Sequence, residues 1–178
     1  MSAFAIIAFL TLGITAFADH PKFQDLFNAL NTPDKLYIIR RSYEEEPTYG
    51  QVQQCAYVQR KSLTTTLYNF TKHFIAGNKP AHLDLFGDLI DEKTPNAEPK
   101  LLVYKTKESS ESKSRLYTLI YWEPSTTCAI FTFRNQEKTE CEIYVREQKI
   151  KEPLSPSCDA QYVEHCKNRP KHPVPTSC

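Results

Sequence analysis

The sequence predicts an all-β protein: an eight-stranded antiparallel up-and-down barrel with a short N-terminal helix, a C-terminal helix and disulfide staples. Three observations lead there. Eight short segments rich in Tyr, Phe, Ile, Val and Thr follow one another, divided by turn-forming residues. Their links are of hairpin length, which favours a meander that closes on itself. Six cysteines stand in a chain whose first residues look like an export signal, so disulfides are expected to pin the fold.

From the N-terminus, Ala3 to Phe17 is almost wholly apolar, and Ala16-Phe17-Ala18 is a small-x-small cleavage site before Asp19. Residues 1–18 read as a secretory signal peptide and 19–178 as one domain, large enough for its own core. The apolar run is too short to span a bilayer comfortably, and no later stretch is long and apolar enough, so a secreted, extracellular protein without a membrane span is expected. Phe23, Leu26, Phe27 and Leu30 recur at helical spacing, so His20 to Asn31 reads as a short amphipathic helix, broken at Thr32-Pro33-Asp34. The strand segments are Lys35–Ser42, Gln53–Lys61, Thr64–His73, His82–Ile90, Lys100–Lys105, Ser114–Trp122, Thr126–Arg134 and Glu140–Glu147. Separators include Gly77-Asn78-Lys79-Pro80, Thr94-Pro95-Asn96, the charged stretch Lys107 to Lys113, and Asn135 to Lys138. Pro153 to Pro156 reads as a linker, and Cys158 to Asn168 as a helix with Tyr162, His165 and Cys166 on one face.

An eight-stranded barrel leaves room for one small ligand, and every second side chain of a strand faces that room. On this reading Tyr117, Leu119 and Tyr121 share one face, as do Ala129, Phe131 and Phe133, and as do Glu142 and Tyr144. These aromatics either pack a solid core or wall a void; the difference is fill. The run Tyr43-Glu44-Glu45-Glu46-Pro47-Thr48-Tyr49-Gly50 adds three carboxylates between two rings. Such a loop is either an acidic surface turn or a cover for a cationic ligand, which carboxylates neutralise and ring faces attract.

Several classes are disfavoured. A net charge of +1 offers no basic field for nucleic acid. The chain has no CxxC pair, and its histidines are scattered, so no metal or other cofactor is expected. It has no GxSxG, no HExxH and no phosphate-cradling glycine loop, so no enzyme is expected. Six cysteines allow fifteen pairings, and sequence alone does not choose among them. Asn69-Phe70-Thr71 is an N-glycosylation sequon, which marks that stretch as solvent-facing on one side.

Order and spacing of these pieces resemble the tick salivary lipocalins, the group that contains the histamine-binding proteins. The resemblance runs over the whole mature chain. It rests on Leu36-Tyr37-Ile38-Ile39 leading into the Tyr43 to Gly50 run and Cys55, on Thr127-Cys128-Ala129-Ile130-Phe131, on Cys141-Glu142-Ile143-Tyr144-Val145, and on the tail carrying Cys158, Cys166 and Cys178. It implies three bridges: Cys55 with Cys178, Cys128 with Cys158, and Cys141 with Cys166.

The resemblance also implies a ligand pocket inside the barrel. In amine-binding members of the group, acidic and aromatic residues hold small biogenic amines such as histamine or serotonin. Carried over, the ligand-binding residues are Tyr43, Glu46, Tyr49, Tyr104, Tyr117, Glu142 and Tyr144, with Phe131 lining the same space and Asp84 as a further acidic contact. Positions that carry carboxylates for a second amine are Asn31, Leu119 and Ala129 here, so the lumen reads as more apolar than in two-amine members. The expected function is sequestration of a small host mediator, a biogenic amine first. The alternatives are a sterol, fatty acid or leukotriene, or an immunomodulator whose outer loops, Lys107 to Lys113 among them, bind a host protein or immune-cell surface.

Overall fold

In the computed structural model the described residues are 20–43, 53–94, 96–105, 114–166 and 171–176. The expected signal peptide, Glu46, Tyr49, Cys178 and the stretch Lys107 to Lys113 lie outside them.

The order is helix α1 (Phe23–Leu30), strands β1 (Leu36–Arg41), β2 (Gln53–Leu63), β3 (Leu67–Ala76), β4 (Lys79–Ile90), β5 (Lys100–Tyr104), β6 (Arg115–Glu123), β7 (Cys128–Asn135) and β8 (Lys138–Arg146), a 3-10 turn at Glu147–Lys149, helix α2 (Pro156–His165) and a two-residue strand β9 (His172–Pro173). Each strand from β2 to β8 pairs antiparallel with the next, and β1 pairs with both β8 and β2. That double pairing closes the eight-stranded barrel.

Helix α1 forms where the sequence places it. The Asp25 carboxylate accepts the Lys22 backbone N–H at 2.8 Å, which satisfies a donor at the helix start and puts negative charge at the positive end of the dipole. Leu26, Ala29 and Leu30 are buried against Leu36, Val58, Tyr68, Leu89, Leu101 and Leu119, so α1 closes one end of the barrel. Burying Leu26 and Leu30 stabilises by about 1.5–3 kcal/mol each. An acid at position 26 would eject the helix.

Strand boundaries differ from the sequence expectation where hairpins are tight. The β3–β4 link is only Gly77-Asn78, because Ala76 pairs with Lys79 and Ile75 with Pro80. Gly77 takes φ 61°, the left-handed region that a two-residue hairpin requires. Pro80 is tolerated inside β4 because, among the described residues, β5 pairs with β4 only from Phe86 onward, so no described strand needs an N–H at Pro80. Helix α2 starts two residues before the expected Cys158. Ser155 caps it, its hydroxyl accepting the Cys158 N–H at 3.2 Å, and Pro156 occupies the first turn. His165 is exposed rather than sharing the buried face, which belongs to Cys158, Tyr162 and Cys166.

That face of α2 lies on the outer wall over Ile130, Ile143 and Val145. Two disulfides fix it there, Cys128–Cys158 to β7 and Cys141–Cys166 to β8, with Cα separations of 6.4 and 6.2 Å. These are the pairings the family resemblance implied. Cys55 is also disulfide-bonded.

The wall has a seam. β1 pairs with β2 only through Leu36↔Val58 and Tyr37↔Tyr57. Beyond that point the C-terminal tail takes the place of β2. Arg40 pairs with Pro173 and Arg41 with His172, the Val174 N–H reaches the Ile39 carbonyl at 3.0 Å, and the Cys55 N–H reaches the Pro175 carbonyl at 2.9 Å.

Candidate ligand-binding site

The end of the barrel opposite α1 gathers the sequence-predicted groups. Glu142 pairs with Phe131 across β7–β8, and Tyr144 with Ala129, so alternation sends Glu142, Tyr144 and Phe131 into the lumen together. Tyr43 arrives from the end of β1, and its hydroxyl donates to Glu142 Oε1; the Tyr144 hydroxyl donates to Oε2 at 2.6 Å. Arg41, which pairs with Glu142 across β1–β8, brings its Nε to 4.0 Å from Oε1, with both side chains almost fully buried. Rings surround this cluster: Tyr43 meets Phe133 edge-on at 5.3 Å, Tyr117 lies 5.2 Å from Phe133, and Phe131 meets Tyr144 edge-on at 5.3 Å. The Arg115 guanidinium covers Phe133 at 4.2 Å.

Electrostatics keep Glu142 ionised. Burial works to raise its pKa, but the charges of Arg41 and Lys72 and the hydroxyls of Tyr144 and Tyr43 outweigh it and hold the carboxyl below its ordinary value. Tyr144 moves the other way: burial first, and then the Glu142 charge, push its hydroxyl well above the usual tyrosine value, so it stays a donor.

Between this cluster and α1 lies a cavity of about 50 Å³. Leu30, Leu36, Val58, Phe70, Leu85, Leu101, Val103 and Phe131 line it, with Tyr68, Tyr117 and Tyr144 and one charged residue, Lys72. No carboxylate is among them. A void of this size has room for a few waters at about 10–15 Å³ each. Binding pockets for drug-sized molecules run to roughly 300–1,000 Å³, so any such guest must displace side chains.

The predicted residues thus divide. Tyr43, Tyr117, Phe131, Glu142 and Tyr144 come together. Tyr104 does not join them. Leu101 pairs with Tyr117 and shares its inward face, so Tyr104, three positions on, points outward, where it stacks on Phe86 at 5.9 Å and donates to Asp88 at 2.9 Å. Tyr121 also leaves the lumen. The register shifts between Leu119 and Tyr121, so Trp122 packs on the inner cluster while Tyr121 packs on the outer wall. Asp84 sits outside as well, held by Lys61 at 2.7 Å and by the Thr71 hydroxyl at 2.8 Å. Asn69 is half-exposed and lies outward, between the inward-facing Tyr68 and Phe70. Leu119 and Ala129 are buried in the apolar floor, and Asn31 accepts from Arg60 at 2.6 Å.

Sequence reading passed over Arg41, Lys72, Arg115, Tyr68 and Phe70. Alternation along Tyr68, Phe70 and Lys72 was a usable signal for these three, all on β3. Alternation with Tyr117 and Leu119 on β6 was likewise a signal for Arg115, whereas nothing local marked Arg41, whose placement depends on β1 closing the barrel.

No curated protein sequence matches the chain. Solved structures do. One described as AM182 in complex with serotonin matches with TM-score 0.60 at 14% identity, covering 85% of this chain and 90% of that one. Japanin from Rhipicephalus appendiculatus bound to cholesterol matches with TM-score 0.57 at 11% identity, covering 82% and 94%. Lobster apocrustacyanin A1 matches with TM-score 0.51 at 13% identity, covering 90% and 89%. At these identities the likeness shows the shared barrel. The model of the tick histamine binding protein family matches residues 16–177. With nearly the whole chain inside that match, on a closed barrel with a buried interior site, the protein belongs to the tick histamine-binding protein family of lipocalins.

Proposed function

We propose that this protein is secreted and sequesters one small host mediator of predominantly apolar character, of the sterol or fatty-acid class, blunting host defence by stoichiometric capture rather than turnover. The observation that carries the reading is the cavity lining: eight aliphatic or phenylalanine side chains, three tyrosines, one lysine and no carboxylate. An ammonium guest would give up its water shell there for a surface that cannot replace it. An apolar guest must displace side chains to enter, but it gives up no such water shell and gains about 25 cal/mol per Å² of buried surface.

A second reading, capture of a biogenic amine, has its own support. Glu142 is an ionised, fully buried carboxylate among Tyr43, Tyr117, Phe131 and Tyr144. Against it, Glu142 already accepts two hydroxyls and faces the charges of Arg41 and Lys72.

Titration separates the two. Cholesterol or a long-chain fatty acid should bind one equivalent, and Phe131→Asp, which plants a charge in the lining, should weaken it at least tenfold. Histamine and serotonin should bind weakly, with Glu142→Gln changing little. Tight amine binding lost in Glu142→Gln, with no uptake of the apolar ligands, overturns the proposal in favour of the second reading.

A further inference from the structure

The sequence scatters its histidines, but the Gly77-Asn78 hairpin brings two of them side by side. His73 on β3 is the direct cross-strand partner of His82 on β4. Phe70 and Lys72 face the cavity, so His73, by alternation, faces outward, and His82 stands beside it on the same outer wall. The two imidazole centroids are 6.0 Å apart with their planes inclined at 35°. Tyr57 stacks on the other side of His73 at 4.8 Å and 14°, and Lys35 lies 5.2 Å from the Tyr57 ring centre. His82 is exposed and His73 half-exposed.

We propose that His73 and His82 form a two-histidine site for a transition-metal ion, Zn²⁺ or Cu²⁺, on the outer wall of the barrel. The geometry is close to what a shared metal needs. Zn–N bonds of about 2.0–2.1 Å at a tetrahedral angle put two imidazole centroids about 5.2 Å apart. The observed separation exceeds that by less than an ångström, and side-chain rotation at an exposed His82 closes such a gap. The stacked Tyr57 fixes the plane of His73, which lowers the ordering cost of binding.

Water completes the coordination shell. Among the described residues no cluster of three or more metal-ligating side chains occurs. Asp84, two positions beyond His82, has its Oδ1 engaged by Lys61 and Thr71. Two imidazoles and water suit Cu²⁺ and Zn²⁺ over Mg²⁺ or Ca²⁺, which take oxygen ligands. A bound ion would clamp β3 to β4 on the wall whose inner face carries Phe70, Lys72 and Leu85. The site depends on no particular reading of the lumen.

Calorimetric titration of Zn²⁺ into the untagged protein at neutral pH tests it. One equivalent should bind, at least tenfold more weakly in His73→Ala and in His82→Ala, and unchanged in His20→Ala and His165→Ala. Because His82 is exposed, its alanine variant should fold normally, and Zn²⁺ should raise the melting temperature of the parent but not of that variant. Absence of saturable Zn²⁺ binding, or unchanged affinity in His82→Ala, overturns the proposal.

Discussion

Glu142 is a fully buried carboxylate held from several sides. A buried carboxylate is tolerable only where charge and hydrogen bonds replace its water, and Arg41, Lys72, Tyr43 and Tyr144 do so. Its folded pKa lies below the unfolded one. Its contribution to stability is therefore fully present above the ordinary carboxylate pKa and is lost as pH falls through the depressed value. Replacing it by Gln removes one charge of a buried set and leaves the cations uncompensated, at a cost of about 3 kcal/mol near neutral pH. Urea midpoints of the parent and Glu142→Gln should differ at pH 7 and converge as the pH is lowered below 4. A gap independent of pH would show that the carboxylate charge contributes nothing. At this scale the sequence revealed residue types better than directions. Glu142, Tyr144 and Phe131 were placed correctly because β7 and β8 pair without a shift. Tyr104, Tyr121 and Asp84 were not: one position of slip exchanges lumen for exterior, and the irregularity between Leu119 and Tyr121 has no signature in the residues themselves.

Among the elements, the two helices are held by means of opposite visibility. Helix α1 was readable from its apolar spacing, but its anchor was not. Arg146, at the end of β8, donates to the Asn28 carbonyl at 2.7 Å and lies 5.5 Å from the Trp122 ring centre, a cation placed near the negative end of the helix dipole. Arg146→Ala should cost about 1.5–3 kcal/mol in urea denaturation, and Trp122, the single tryptophan, should report the loosened floor by its fluorescence. An unchanged midpoint would mean that α1 is held by Leu26 and Leu30 alone. Helix α2 was expected too late in the chain because Pro153 to Pro156 looks like a linker. Its start is set instead by Ser155, whose hydroxyl also donates to Glu123 at 2.6 Å, with Ser157 donating at 2.5 Å. Burial works to raise the Glu123 pKa, but the Ser155, Ser157 and Thr126 hydroxyls outweigh it and keep this carboxyl below its ordinary value. The docking of α2 should accordingly weaken in acid. Hairpin strands were legible to within a few residues, their ends being set by pairing partners rather than by local composition.

For the whole molecule, closure is the property that sequence conveyed least. Eight strands were countable, but the pairing of β1 with β8 and the filling of the β1–β2 seam by the tail depend on contacts more than a hundred residues apart in the chain. The disulfides are arranged around this plan. Two hold α2 to the outer wall without touching the cavity lining. Removing Cys128–Cys158 by paired alanine substitution should therefore cost about 2–4 kcal/mol in denaturation and leave ligand affinity within twofold; a tenfold loss of affinity would show that the bridge shapes the interior. The interior itself is a small, mostly apolar chamber with a charged, ring-lined upper end, and its occupant decides the function. The most direct test is native mass spectrometry after incubation with an equimolar mixture of cholesterol, a long-chain fatty acid, histamine and serotonin. One equivalent of an apolar ligand retained on the folded protein is the predicted result; retention of an amine alone, or an empty barrel throughout, contradicts it.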